Sequence, residues 1–120
     1  MLKTKLAKSF RFAVNGVAYA LKSQQNFRIH LVVLAVTLVA GYFFNISRIE
    51  WLFVTICAML VLILELVNTA IEYLCDLVTR EIHPAIKIIK DVAAAAVLLA
   101  AAGSVVIGIV IFLPKLVALF

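Results

Sequence analysis

Trp51-Leu-Phe-Val-Thr-Ile-Cys-Ala-Met-Leu-Val-Leu-Ile-Leu64 runs directly into Glu65-Leu-Val-Asn68-Thr-Ala-Ile-Glu72-Tyr-Leu-Cys-Asp76. The first part is an apolar helix broken only by Thr55. The second carries Glu65, Asn68, Glu72 and Asp76, whose offsets from Glu65 fit one helix face. At about 100° per residue the four side chains share an arc of roughly 80°. A carboxylate so far along an apolar span costs about 2.5–3.5 kcal/mol on insertion scales. Acids retained on one face at that cost point to use.

The rest of the chain has the same character. It is 120 residues long and 67% hydrophobic, with a mean hydropathy of +1.22, far above the roughly 45–50% apolar content of soluble domains. This is the composition of one small integral membrane domain, 1–120, with no linker or repeat to divide it. So small a protomer has little interior, so a cleft with several polar groups calls for neighbouring copies. Cys57 and Cys75 lie on one helix, roughly 27 Å apart, too far to bridge. They read as small core residues without metal-ligand spacing.

Two further apolar segments flank the first, from about Phe27 to Phe44 and from Val92 to Leu113. The membrane helices are expected at about 27–44, 51–78 and 84–113, with Pro84 opening the last. The basic residues orient them. Nine lie in the N-terminal region and around the second loop (Lys3, Lys5, Lys8, Arg11, Lys22, Arg28, Arg80, Lys87, Lys90), and two, Arg48 and Lys115, on the other side. The N-terminus is therefore expected to be cytoplasmic. Residues 4–25 place Leu6, Phe10, Ala13, Val14, Val17 and Leu21 opposite Lys8, Arg11, Asn15 and Lys22, the pattern of a helix lying in the interface. Phe12 and Tyr19 interrupt its polar side. A signal peptide is not expected, because the apolar segment starts late and is too long.

Helical rise turns the acidic face into depths. With Trp51 at the outer interface, Glu65 lies about 21 Å along the axis, Asn68 near 25 Å, Glu72 near 31 Å and Asp76 near 37 Å. Across a hydrocarbon core about 30 Å thick, Glu65 sits just inside the cytoplasmic edge and Glu72 at the boundary. A base in apolar surroundings suits proton removal from an alcohol. A boundary carboxylate suits Mg²⁺, which takes one or two carboxylates plus phosphate oxygens. His83, Lys87, Lys90 and Asp91 share a face at the same depth and can meet phosphates. Base, metal carboxylate and cations together describe phosphoryl transfer. Blander readings stand beside each part: a solvated helix end for Glu72 and Asp76, an intrahelical ion pair for Asp91, a loop residue for His83, interhelical bonding for Asn68. No Walker A loop or soluble kinase signature is present.

The segment Glu65–Asp76, with Glu81-Ile-His83-Pro84, Lys90-Asp91-Val-Ala-Ala-Ala-Ala-Val-Leu-Leu, Asn15-Gly16 and Asn26-Phe-Arg28-Ile-His30, resembles the prokaryotic diacylglycerol kinase family, which includes the undecaprenol kinases. The resemblance covers nearly the whole chain. It implies an all-α homotrimer in the bacterial inner membrane, each protomer with a surface helix and three transmembrane helices. It implies transfer of the ATP γ-phosphate to a membrane lipid alcohol with Mg²⁺, at sites between protomers, and no nucleic-acid partner. On this basis Glu65 is the general base in contact with the lipid and Glu72 the magnesium ligand. Asn68 and Asp76 organise the site. Lys5, Phe12, Glu72, Glu81, His83, Lys90 and Asp91 meet the nucleotide, and Phe27 and Arg28 the lipid.

Three positions depart from the family pattern. Gln24 stands where a second metal-binding glutamate is usual, and its neutral carbonyl is a weaker magnesium ligand. Ala94 replaces a common serine. Lys5 replaces an arginine, losing a planar fork. The stretch Phe27-Arg-Ile-His30 leans towards the undecaprenol branch. The competing functions are an ion-coupled transporter subunit and a non-catalytic membrane adaptor. A transporter would carry polar groups through the full depth, whereas Trp51–Leu64 and Val92–Leu113 are nearly bare.

Overall fold

The computed structural model describes residues 1–120 as four α-helices: α1 (Leu2–Ser23), α2 (Gln25–Phe43), α3 (Arg48–Val78) and α4 (Pro84–Val117). The last three are each long and apolar enough to cross a membrane. The long α3 is the spine. α2 and α4 both pack on it but not on each other, and α1 rests against α2 and α3 without reaching α4.

The corner between α1 and α2 is one residue long. Gln24 is extended (φ −115°, ψ 111°), and its N–H still donates to the Ala20 carbonyl, at 2.9 Å. A helix leaves its last carbonyls without partners. Here Arg28 supplies them, one guanidinium nitrogen donating to Leu21 O at 2.8 Å and Lys22 O at 3.1 Å. A cation at a helix C-terminus also complements the dipole. Ala20, fully buried, and the Tyr19–Tyr73 edge-to-face pair, with centroids 5.9 Å apart, seat the end of α1 on its neighbours.

The turn between α2 and α3 is closed by two caps in succession. Asn45 adopts the left-handed conformation (φ 52°). Its N–H donates to Tyr42 O at 3.2 Å, and that of Ile46 to Gly41 O at 3.1 Å. These are the two bonds of a Schellman motif, with asparagine in the position that most often holds glycine. Ser47 and Glu50 then form a reciprocal capping box, at 3.1 and 2.9 Å. This cap starts α3 at Arg48, three residues before the hydrophobic run at Trp51. Ser47-x-x-Glu50 is the capping-box pattern and is legible in the sequence. At the far end α4 continues through Pro114 to Val117, past the end of the apolar segment at Leu113.

Gly41 of α2 lies directly against the Trp51 ring of α3. A Cβ there would lie 2.6 and 2.9 Å from ring carbons of Trp51 and 3.1 Å from Ile46. Gly41→Ala therefore forces the indole to move. A loss of about 1–3 kcal/mol of stability is expected, read as a lower melting temperature of the protein in detergent. The same end holds a small hydrophobic cluster. Ile46, Val54 and Ile111 are buried there, with Phe44, Trp51, Ile107 and Phe112 around them. Lys115 and Glu50 join the ends of α4 and α3 at 2.9 Å.

Little else is enclosed. Only 13 of 120 residues are buried, and the chain exposes 9217 Å², against about 6400 Å² for a compact protein of this mass. The radius of gyration is 17.8 Å, against about 13.6 Å expected for a globular chain of this length. The three apolar helices form a multi-pass membrane protein whose outward-facing Leu, Ile and Val side chains are largely exposed.

Candidate functional site

Most buried polar side chains of this small interior lie on one stretch of α3. Glu65 is 3% exposed, Asn68 8% and Thr69 6%. The Thr69 hydroxyl donates to the Glu65 carbonyl at 2.8 Å and so needs no outside partner. The Glu65 carboxylate is met from α2, where His30 Nε2 lies 3.1 Å from Oε1. Phe27, about one turn earlier on α2, is 3% exposed.

Two turns further along α3, Glu72 is held between two amides. Asn68 Nδ2 donates to Oε1 at 3.3 Å and Gln24 Nε2 to Oε2 at 3.2 Å. No cationic side chain is in salt-bridge contact with this carboxylate; two amides hold it, and the Lys90 ammonium acts on it only at longer range. The Asn68 carbonyl oxygen Oδ1 is buried and accepts no hydrogen bond. A buried polar atom without a partner costs about 1–3 kcal/mol, so an unused acceptor beside a carboxylate held by two amides is a place suited to a cation. The donors are hard oxygens: one carboxylate and two amides that can each present a carbonyl. That set fits Mg²⁺, which keeps waters and takes further oxygens from phosphates. No cluster of three or more His, Cys, Asp or Glu side chains exists, so Cys- or His-rich metal sites are not offered.

Beyond Glu72 the groups are ion-paired and exposed. Lys90 of α4 meets Asp76 of α3 at 2.8 Å, and Lys87 meets Asp91 at 2.6 Å within α4. His83 caps α4, with Nδ1 accepting from Ala85 N–H at 3.1 Å. Glu81 lies in the exposed connection, its N–H donating to Thr79 Oγ1 at 3.0 Å. Lys5 and Phe12 are exposed on α1, away from α4, and bond to none of these groups. Arg28 is engaged in capping α1, and Phe27 belongs to the interior. Within one chain the structure thus gathers Gln24, Glu65, Asn68, Glu72, Asp76 and Lys90. It leaves Lys5, Phe12 and Glu81 outside that group.

His30 is the member of this constellation that sequence reading passed over. It was visible only as part of a matching stretch, because its pairing with Glu65 depends on the register between two helices. His30 also lines a groove of about 340 Å³ that opens between α2 and α4 over α3 and is walled mainly by apolar side chains, from Val33 and Ala58 to Ala101 and Phe112. An apolar trough therefore leads along the membrane depth to the residue that touches Glu65.

The prokaryotic diacylglycerol kinase family matches residues 11–112, which contain the whole of this polar stretch. The chain is 40% identical over 109 residues to a Bacillus subtilis protein named undecaprenol kinase, covering 91% of this chain and 89% of that one. It is 43% identical over 112 residues to a Synechocystis diacylglycerol kinase, covering 92% of this chain and 64% of that longer protein. A Pseudomonas aeruginosa diacylglycerol kinase is 36% identical over 86 residues, covering 71% and 69%. Three membrane-length helices, a buried glutamate, a second glutamate two turns away and these similarities agree: the chain belongs to the prokaryotic diacylglycerol kinase family, a family of lipid kinases.

Proposed function

We propose that this protein transfers the γ-phosphoryl group of ATP to the hydroxyl of a membrane lipid alcohol at the cytoplasmic interface. The observation that carries the reading is the pair of unlike carboxylates on α3: Glu65, buried beside His30, and Glu72, held by amides next to the unpaired Asn68 Oδ1. They lie seven residues apart, about 10.5 Å along the axis. The first suits a hydroxyl delivered from the apolar side, the second a phosphate delivered from water.

Glu65 takes the proton of the lipid hydroxyl as its oxygen attacks the γ-phosphorus. The bond to the β-phosphate oxygen breaks and ADP leaves. Glu72, with Asn68 and Gln24, would hold Mg²⁺, which neutralises charge on the phosphate oxygens. Asp76 fixes Lys90 near these groups, and Lys90, Asp91, His83 and Glu81 lie at the end of the bundle where nucleotide would arrive. Lys5 and Phe12 on α1 would complete the nucleotide site from the membrane surface.

The exposed apolar surface and the separation of α1 from α4 support a homotrimer with sites shared between copies. The basic residues support a cytoplasmic N-terminus in the bacterial inner membrane and an α1 lying in the interface. The acceptor is undecaprenol or diacylglycerol. Undecaprenol is favoured, because similarity to the Bacillus undecaprenol kinase runs through nearly the full length of both chains.

The test is γ-labelled ATP with each lipid in mixed micelles containing Mg²⁺. Label is expected in undecaprenyl phosphate more than in phosphatidate. Label in neither lipid would overturn the reading. Liposome ion flux that needs Glu65 but not ATP would replace it with the transporter alternative.

A further inference from the structure

We propose that His30 is the positioning residue of the reacting carboxylate, fixing Glu65 by its Nε2 contact and separating it from the lipid groove. The inference rests on Glu65 acting as the base. A glutamate's last torsion is broad rather than locked in three wells, so a buried carboxylate with no partner has no defined orientation. Within the chain Glu65 has one: His30 Nε2 at 3.1 Å from Oε1. No hydroxyl, amide, Lys or Arg side chain reaches either oxygen. Nε2 thus stands against Oε1, and Oε2 is the oxygen without a close partner inside the chain.

The second observation is the position of His30. It lines the groove between α2 and α4, whereas Glu65 does not. Side-chain exposure falls from 23% at His30 to 4% at Glu65. The imidazole thus lies between the carboxylate it contacts and a trough that can hold a hydrocarbon chain. His30 is thus placed both to orient the base and to admit the hydroxyl to it.

The experiment compares wild type, His30→Gln, His30→Phe and His30→Met in the labelled-lipid assay, with kcat and KM for lipid and ATP measured separately. Glutamine keeps an N–H donor; phenylalanine and methionine fill space without one. Loss of orientation is expected to lower kcat about 10–100-fold in the two apolar variants. KM for ATP and thermal stabilisation by ATP with Mg²⁺ should not change. His30→Gln should recover most of the lost turnover. A purely space-filling role predicts the reverse, with His30→Met near wild type. Wild-type kcat in both apolar variants, or a loss in His30→Gln as large as theirs, overturns the proposal while leaving the kinase reading intact. A wild-type protein that labels no lipid, or a Glu65→Gln variant with near-normal turnover, removes the reading on which it rests.

Discussion

Glu65→Gln is expected to reduce lipid phosphorylation about 10²–10⁴-fold, the usual contribution of a general base, while the protein still assembles and binds nucleotide. The substitution is nearly isosteric, so the packing around a side chain that is 3% exposed is kept. It also removes the charge at a depth where charge is costly, so melting temperature should hold or rise. The amide can still lie against His30, but it cannot take a proton from an alcohol. Loss of kcat with unchanged ATP-dependent stabilisation is the expected pattern. A rise in KM with kcat intact would mean that Glu65 binds lipid rather than activating it.

The second large effect is expected at Glu72. Glu72→Gln should lower kcat about 10²–10³-fold, as follows from losing several kcal/mol of charge stabilisation at the phosphates. Unlike the change at Glu65, it should raise the Mg²⁺ concentration for half-maximal rate and weaken ATP-dependent stabilisation. Gln24→Glu is the complementary variant. Gln24 lies 3.2 Å from Glu72 through its amide nitrogen. A carboxylate there would face Glu72 directly, which is unfavourable without a cation and favourable with one. The variant should lose thermal stability in chelator and regain it with Mg²⁺, with tighter apparent magnesium binding than wild type. An unchanged magnesium dependence in both variants would remove Glu72 and Gln24 from the metal site.

Hydropathy made the three long helices legible, because a membrane span declares itself by length and composition. The polar face of α3 was legible for the same reason: four groups at helical spacing stand out against Leu, Val and Ile. What escaped was whatever depends on two elements meeting. The Lys87–Asp91 pair within α4 is the intrahelical ion pair that spacing allows, whereas the pairing of Lys90 with Asp76 is decided only where α4 packs on α3. The guanidinium of Arg28 meets the last carbonyls of α1, a bond that spacing in the sequence does not declare. His30 sits in a stretch that periodicity cannot distinguish from the apolar residues around it. The start of α3 is a different case. Its capping box was written in Ser47-x-x-Glu50 and was masked by the stronger hydrophobic signal beginning at Trp51.

Gln24 gives the protein an unusual mechanical arrangement. The residue that bends the chain between α1 and α2 also has its side chain on the Glu72 carboxylate. With one extended residue as the whole joint, and its N–H still tied to Ala20, no slack lies between the two helices. Any tilt of α1 against α2 rotates the Gln24 backbone and swings its amide relative to Glu72. The corner acts as a short crank, so the attitude of the first helix and the coordination of an acid on the third are set by the same pair of torsions.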